Sequence, residues 1–274
     1  MDQTLTIRFS HIDGAAIVFY PRYFEMLSEL FVELPFARAP FAMRTDFLQP
    51  NFLGDEVHIS YEDSRLAAPG HPVLRDISAS QHTRPPPQKP LPQDGGWSFV
   101  GRMGDDKHFS IASLPAEESN LDPSAHHPEL PAFQSDEILV APWTTDHTGH
   151  LQVSRFFELV NVAVEQWFPR TLGLSFYELH TVNSGGIPTV TMNTRCRELP
   201  RAGESVSMWI RPTEIGKKSL TYTSWLVRGD ECLVENVQTI VFVKTNGTDF
   251  KSIPIPDEIR ARLQEQYVAA KRKN

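Results

Sequence analysis

Cysteine is scarce in this chain of 274 residues, which has only Cys196 and Cys232. Neither cysteine belongs to a CxxC pair or has a histidine at metal-ligand spacing. Both lie in segments whose pattern is typical of strands, and we interpret them as small buried side chains. We therefore predict no redox centre and no metal site.

Long apolar runs and an excess of positive charge are also missing. No stretch of about 18 uncharged apolar residues occurs, and residues 1–9 show no basic region followed by an apolar one. We therefore expect a cytoplasmic protein with no membrane partner. The net charge of −8 provides no overall field for a nucleic-acid backbone, so we expect no nucleic-acid partner. A local lysine cluster remains compatible with a small polyanion.

The composition is that of an ordinary globular protein, with 40% hydrophobic and 22% charged residues. A chain of this length accommodates two domains of about 100–150 residues each. Residues 115–137 are polar and contain four prolines, which favours a linker. We predict an N-terminal domain at 1–114, a linker at 115–137 and a C-terminal domain at 138–274. Further prolines predict an insertion near 83–96 within the first domain.

An internal repeat joins the two halves. Apolar residues recur at helical spacing after Pro21 and again from Ser154 to Trp167, and Ser154 is the predicted N-cap of the second helix. Asp13 and Asp146 are 133 positions apart (146 − 13), and the same offset brings RYFEM at 22–26 onto RFFEL at 155–159. We infer that one fold is duplicated.

Strand patterns surround both helices. The second half alternates at 188–197, 205–211, 219–227 and 232–244, and turn signals separate these segments. The first half shows strand character at 4–9, 97–103 and 108–114. One long helix with an antiparallel sheet, present twice, predicts the α+β class.

Several motifs carry a resemblance to a known family. The run DGAAIVFYPRYF at 13–24 resembles the active-site signature of the 4-hydroxybenzoyl-CoA thioesterase family of hotdog proteins, and DHTGHL at 146–151 resembles that signature's other form. EIGKKSL at 214–220 looks like the family's basic strand turn, and residues 253–258 resemble its usual ending. The resemblance implies a tandem of two fused hotdog domains, each an antiparallel sheet wrapped around one long helix.

The same resemblance implies hydrolysis of an acyl-CoA thioester. The family's aspartate acts as nucleophile or general base, and it matches Asp13 and Asp146 here. A backbone N–H at the position of Tyr20, or of Val153 in the second half, is implied to hold the oxyanion. These roles fit the two chemical needs of the reaction, which are an activated water or nucleophile and donors for the developing negative charge.

The acyl-CoA substrate is the partner that the resemblance implies. Lys217 and Lys218, with Ser219 in the same turn, are implied to bind the CoA phosphates, although a solvated hairpin turn explains the two lysines equally well. CoA is part of the substrate, so no separate cofactor is expected. Hotdog units often associate in the family, which also implies a homo-oligomer.

Other interpretations stay open. Asp13 also fits a helix N-cap or an Asx turn. Asp146 also fits a half that only completes its neighbour's site, and His150 fits either a polar catalytic group or a core histidine. Ala16 stands where the family usually has glycine, so Asp13 is either active or a relic. A hotdog enoyl or 3-hydroxyacyl thioester hydratase-dehydratase would pair His11 or His150 with the opposite aspartate. A non-catalytic acyl-thioester-binding protein is the third alternative.

Overall fold

A computed structural model describes residues 2–31, 34–63, 96–114, 133–182, 185–246 and 249–271. Almost all of the predicted insertion near 83–96 lies outside these ranges, as does the predicted linker up to residue 132. The division into domains at these boundaries therefore stays a prediction.

In the described part of the first half, one long helix packs against five strands. Helix α1 begins at Pro21, where the missing N–H of proline costs no helical hydrogen bond. Its inner face buries Tyr23, Phe24 and Leu27, as the helical spacing predicts. The helix is Pro21–Leu30, and the strands β1 to β5 are Asp2–Thr6, Phe41–Phe47, Glu56–Asp63, Trp97–Met103 and Asp106–Ser113.

The second half repeats this plan. Helix α2 begins at Val153, so the predicted Ser154 cap is wrong: Gln152 is the N-cap, no side chain caps the helix, and Ser154 is buried in the first turn. Helix α2 is Val153–Trp167 and the C-terminal helix α3 is Asp257–Lys271. Strands β6 to β14 are Phe133–Gln134, Ile138–Leu139, Gly185–Gly186, Thr189–Cys196, Ser205–Ile215, Ser219–Arg228, Glu231–Val241, Val243–Asn246 and Asp249–Ser252.

One 11-stranded antiparallel sheet joins the two halves. Its strand order is β1-β3-β4-β5-β2-β9-β12-β11-β10-β6, with β7 pairing to β10. Strands β2 and β9 meet at the centre, with Met43 opposite Thr194, and the order of the second half mirrors that of the first. Each half therefore wraps its sheet around one long helix. This confirms the predicted α+β class and the hotdog arrangement of an antiparallel sheet around a helix.

The repeated helices contact each other through equivalent residues. The rings of Phe24 and Phe157 stack with centroids 4.4 Å apart, and these two positions differ by the repeat offset of 133 (157 − 24). The ion pairs Arg22–Glu158 and Arg155–Glu25, at 3.0 and 3.2 Å, cross between the helices. The most strongly repeated run in the sequence thus forms the contact between the two units, where each copy meets the other.

The halves differ in the segment that follows the helix. The N–H of Gly54 donates to the carbonyl of Ile7, and the N–H of Gly203 donates equivalently to that of Val140. The two acceptors, Ile7 and Val140, are 133 positions apart (140 − 7), whereas the two donors, Gly54 and Gly203, are 149 positions apart (203 − 54). The second half therefore has 16 more residues between its acceptor and its donor (149 − 133). Helical turns at Phe168–Leu172 and Glu178–Val182, together with β8, lie in this longer segment.

Within the described ranges, none of the helices is both long enough and apolar enough to cross a bilayer.

Candidate active site

A cavity of about 740 Å³ opens between the two halves. Its walls come from the Asp13 turn, the start of α1, one face of α2 and the segment that follows α2. The lining is largely apolar with a few polar groups, and the volume is typical of small-molecule sites. Among the lining side chains are Asp13, Phe19, Tyr20, Phe47, Asn161, Glu165, Phe176, His180, Tyr222, Gln238 and Phe250.

Asp13 closes a tight turn just before α1. Its backbone N–H donates to the carbonyl of Ile17 at 2.9 Å, and its side-chain Oδ1 accepts from the N–H of Ala15 at 2.8 Å. Ala16 has a φ of +60°, which is the left-handed conformation in which the Cβ of an L-residue is crowded. Ala16 therefore adopts, in this turn, the left-handed conformation expected of the glycine that usually stands at this position in the family that the sequence resembles.

Asp146 closes the same turn in the second half. Its N–H donates to the carbonyl of His150 at 2.8 Å, and its Oδ1 accepts from the N–H and hydroxyl of Thr148 at 2.8 and 2.6 Å. Gly149, at the position equivalent to Ala16, has a φ of +81°. The two turns are thus the same structure, and both aspartates are Asx-turn residues as well as candidate acids.

The electrostatic environments of the two aspartates differ. The Asp13 carboxylate is accessible from the cavity, but the surrounding protein limits its hydration. This burial raises the pKa of Asp13, against hydrogen bonds from the backbone and the charge of His180, which lower it. At Asp146 burial also raises the pKa, but hydrogen bonds from Thr148 and His150 outweigh it, and the net pKa is lowered. Asp13 is therefore the stronger base of the two.

The space in front of the two aspartates also differs. Asp146 faces a pocket of only about 180 Å³. In front of Asp146, the short segment after α1 occupies the space that corresponds to the large cavity in front of Asp13. Leu34, Phe36 and Ala37 of this segment line the small pocket, and Phe36 is 1% exposed. The longer segment after α2 instead forms one wall of the Asp13 cavity and leaves the cavity open. Of the two aspartates, Asp13 faces the larger cavity.

Tyr20 lies at the start of α1, where it is the N-cap residue. Its backbone N–H makes no hydrogen bond to any residue in the described ranges, as is common for the first N–H groups of a helix. Its side-chain hydroxyl donates to the carbonyl of Phe157 at 3.1 Å and so ties this helix start to α2. A helix N-terminus with a free N–H stabilises negative charge, and this one borders the cavity that holds Asp13.

Polar side chains of the second half complete the cavity, and sequence reasoning did not identify them. On α2, the amide of Asn161 donates to Glu165 at 2.7 Å. The amide of Gln238 donates to the hydroxyl of Thr189 at 2.7 Å. Tyr222 is 1% exposed, and no hydrogen bond to its hydroxyl is found within the described ranges. These residues lie on elements whose sequence pattern indicates only helix or strand.

His180 is the histidine that lines the Asp13 cavity. It lies on the helical turn Glu178–Val182 of the longer segment, and its Nδ1 is 3.0 Å from the carbonyl oxygen of Gly185. It is close enough to Asp13 for its charge to lower the pKa of that carboxyl group. The segment has no clear periodicity, so its length relative to the first half was the only available signal.

The two histidines proposed from the sequence lie elsewhere. His11 is buried, its Nδ1 accepts from the N–H of Arg8 at 3.1 Å, and burial lowers its pKa, opposed chiefly by the charge of Glu29. The Nδ1 of His150 contacts the Thr148 hydroxyl at 2.9 Å, and its Nε2 accepts from Arg201 at 3.3 Å. Neither histidine lines the large cavity.

The lysine turn joins β10 to β11 beside the cavity. Lys218 Nζ donates to the carbonyl and hydroxyl of Ser252 at 3.1 and 3.0 Å, while the carbonyl of Ser219 accepts from Gly216 at 2.9 Å and closes the turn. Lys217 and Lys218 are exposed but do not line the cavity. Ser252 belongs to β14, which also contributes Phe250 to the cavity wall. The turn is thus connected to the cavity through one strand.

Within the described ranges, no group of three or more His, Cys, Asp or Glu side chains is arranged to hold a metal ion. Cys196 and Cys232 are both buried and unpaired, and burial raises the pKa of each thiol, that of Cys232 to about 12.

A comparison with known protein families finds a similarity in the second half. Residues 140–263 match the model of the Thioesterase-like superfamily. The match covers α2 and the strands β9 to β14, but not the turn that contains Asp13. A search of curated proteins finds no match to the chain.

Solved structures provide further similarities, each over about half of the chain. A 1,4-dihydroxy-2-naphthoyl-CoA thioesterase from Synechocystis is 16% identical, with a TM-score of 0.44 over 48% of this chain and 96% of its own. A protein from Staphylococcus aureus in complex with CoA is 15% identical, with a TM-score of 0.45 over 50% and 84%. A thioesterase superfamily protein from Jannaschia sp. is 21% identical, with a TM-score of 0.46 over 51% and 95%.

Proposed function

We propose that this protein is an acyl-CoA thioesterase whose working site is the Asp13 cavity, in a tandem double-hotdog form related to the 4-hydroxybenzoyl-CoA thioesterases. The superfamily match of the second half supports thioester chemistry. The observation that carries the proposal is the joint placement of a carboxylate with a raised pKa and a free helix-start N–H at one large cavity.

The chemistry follows from these two groups. The Asp13 carboxylate accepts a proton from a water molecule while the water oxygen attacks the thioester carbonyl carbon. The carbonyl oxygen becomes negative and is held by the N–H of Tyr20 at the positive end of α1. The C–S bond then breaks, the departing sulfur takes up a proton equivalent to the one that Asp13 gives up, and the products are a carboxylic acid and the CoA thiol. A raised pKa suits Asp13 to this task because a general base works best when its pKa approaches the working pH.

The CoA part of the substrate would extend from the cavity towards the lysine turn. Lys217 and Lys218 are exposed cations, and a flexible ammonium group binds phosphate as a point charge. The reaction uses no separate cofactor in this proposal, because CoA is itself the leaving group.

The decisive experiment compares Asp13→Asn with the matched control Asp146→Asn. Purified variants would receive aliphatic, aromatic and enoyl-CoA substrates, with thiol release followed by absorbance. We expect Asp13→Asn to lower kcat/KM by roughly 10²-fold or more, since a general base contributes at least about that factor. Asp146→Asn, in the same turn but facing the small pocket, should stay close to wild type. Loss of activity in the control alone would overturn the assignment.

A hydratase or dehydratase acting on enoyl or 3-hydroxyacyl thioesters is the second candidate. The specific observation in its favour is that Asp13 and His180, from opposite halves, line one cavity. Such an enzyme requires an acid-base pair of this kind. Hydration of the enoyl-CoA without thiol release would establish this candidate in place of the thioesterase, whereas binding without turnover would indicate an acyl-thioester-binding protein.

We propose in addition that the protein acts in the cytoplasm as a homo-oligomer. Light scattering after size-exclusion chromatography measures the mass of the assembly directly, and a monomer mass at working concentration would contradict this part. Cell fractionation tests the location.

A further inference from the structure

We propose that His180 donates the proton to the departing CoA sulfur, so that the second half supplies the acid for a base in the first half. This inference rests on the proposed thioesterase function. It adds a catalytic residue that lies outside the signature turn and comes from the segment that makes the second half longer.

The position of the imidazole supports this role. His180 and Asp13 line the same cavity but come from opposite halves. The Nδ1 of His180 lies 3.0 Å from the carbonyl oxygen of Gly185, and since a carbonyl only accepts, Nδ1 carries the proton. The other nitrogen, Nε2, has no hydrogen-bond partner within the described ranges and is not sealed from solvent. One nitrogen is therefore fixed to the backbone, and the other is free to act in the cavity.

The local structure holds the ring in place. Phe176 packs against His180 with ring centroids 5.9 Å apart. Gly186 also lies beside the ring, since a Cβ built at that position would be 3.9 Å from Cε1 of His180, which is ordinary van der Waals contact. The surrounding turn, Glu178–Val182, is a π-helix, a geometry often found at functional sites.

The proton transfers balance over one cycle. Asp13 takes a proton from the attacking water, and His180, in its imidazolium form, gives its Nε2 proton to sulfur as the C–S bond breaks. The products are the carboxylic acid and the thiol. The proton held by Asp13 then passes to His180 through water in the cavity and restores both groups.

Other charges around the cavity influence both steps. Arg155, Glu158 and Glu165 of α2 and Arg22 of α1 line the same cavity as His180. Lys244 of β13 pairs with Gly185, the residue that fixes the ring. On its own segment the nearest acidic residue is Glu178, whose side chain accepts from the N–H and hydroxyl of Ser175.

The test combines His180→Gln with two thioesters of the same acyl group, one of CoA and one of an acidic aryl thiol. A sulfur that leaves readily needs no proton, so we expect the variant to lose about 10²-fold in kcat/KM on the CoA ester and much less on the aryl ester. His58→Gln, an exposed histidine that contacts Thr4, is the control and should match wild type on both esters.

Several outcomes would overturn the inference. Equal losses on both esters would mean that His180 only stabilises the Asp13 anion. If the variant fails to fold, wild-type enzyme and a series of leaving thiols provide the test, because protonation of the sulfur as it departs makes kcat/KM depend only weakly on the acidity of the leaving thiol. A strong dependence on that acidity would overturn the inference. Wild-type enzyme that releases no thiol from any CoA ester would refute the proposed function itself, which is a different result.

Discussion

Asp13 and Asp146 occupy equivalent turns but are stabilised in opposite forms. Burial raises the pKa of Asp13, and hydrogen bonds to the carboxylate lower the pKa of Asp146. The ionised Asp13 carboxylate therefore opposes folding, whereas the ionised Asp146 carboxylate favours it. A carboxylate kept poorly hydrated in a cavity, as the proposed base Asp13 is, is expected to reduce stability in this way.

Stability measured against pH should show this difference. Asp13 makes its full favourable contribution to folding stability below the pKa that it has in the unfolded chain, and this contribution is lost as the pH rises through its pKa in the folded protein. Asp13→Asn should therefore raise Tm at neutral pH. The contribution of Asp146 is present above its unfolded pKa and is lost as the pH falls through its folded pKa, so Asp146→Asn should lower Tm at neutral pH. The difference in Tm between each variant and the wild type should vanish at acid pH. Thermal denaturation over a pH series measures them, and a lower Tm for Asp13→Asn at neutral pH would contradict the prediction.

Ala16 and Gly149 give a second matched pair. Both have positive φ, and a Cβ at Gly149 would meet no atom within 4 Å, so backbone conformation alone decides the effect. The left-handed conformation costs an L-residue about 1–2 kcal/mol. Replacing alanine by glycine lowers stability by about 0.4–1 kcal/mol, because the unfolded chain gains conformational entropy. Ala16→Gly should therefore raise the free energy of unfolding by roughly 0.5–1 kcal/mol, and Gly149→Ala should lower it by a similar amount. Urea denaturation of both variants tests this, and equal signs would refute it.

The contact between α1 and α2 depends on four charged residues. Arg155 pairs with Glu158 at 2.7 Å and with Glu25 at 3.2 Å, while Arg22 makes the equivalent pairs with these glutamates at 3.0 and 2.6 Å. The side chains are 23–32% exposed, so water and salt screen them in part. A connected network of this kind contributes more than separate surface pairs do.

Removing one arginine should weaken the contact between the helices. Arg155→Met leaves Glu25 and Glu158 with a single cation between them, and we expect a loss of about 1 kcal/mol in the free energy of unfolding. The loss should shrink at high salt. Arg170→Met is the control, since that side chain is 56% exposed and lies 4.0 Å from its partner Asp136. Equal effects of the two substitutions would argue against a stabilising network.

At the level of the whole molecule, the two units share one sheet and one core. Strands β2 and β9 form the central ladder, and a single hydrophobic cluster runs from Leu5 of the first half to Leu263 of the second. We therefore expect the halves to unfold together. Equilibrium denaturation followed by circular dichroism and by tryptophan fluorescence should give coincident transitions, since Trp97 lies in the first half and the other four tryptophans lie in the second. Two separated transitions would show that the units are independently stable.

Much of the architecture could be predicted because the signals are local. Pro21 and the spacing of Tyr23, Phe24 and Leu27 identify α1, and the alternation of the second half identifies its strands within a few residues. The N-cap of α2 was predicted two residues too late, at Ser154 instead of Gln152, because a good capping residue is a weaker signal than the packing that buries it. The repeat located the two aspartate turns, and similar sequence built the same hydrogen bonds in both.

The sequence by itself determined the two helices, the meander, the repeat and the position of an acid before each helix, since these depend on periodicity and on contacts within a few residues. The tertiary structure decided which acid faces a large cavity and brought His180 to Asp13. Those outcomes depend on how two connecting segments of unequal length pack. Phe36, after α1, fills the space in front of Asp146, whereas the longer segment after α2 forms a wall of the cavity in front of Asp13. Contacts between residues so distant along the chain leave no local pattern to read.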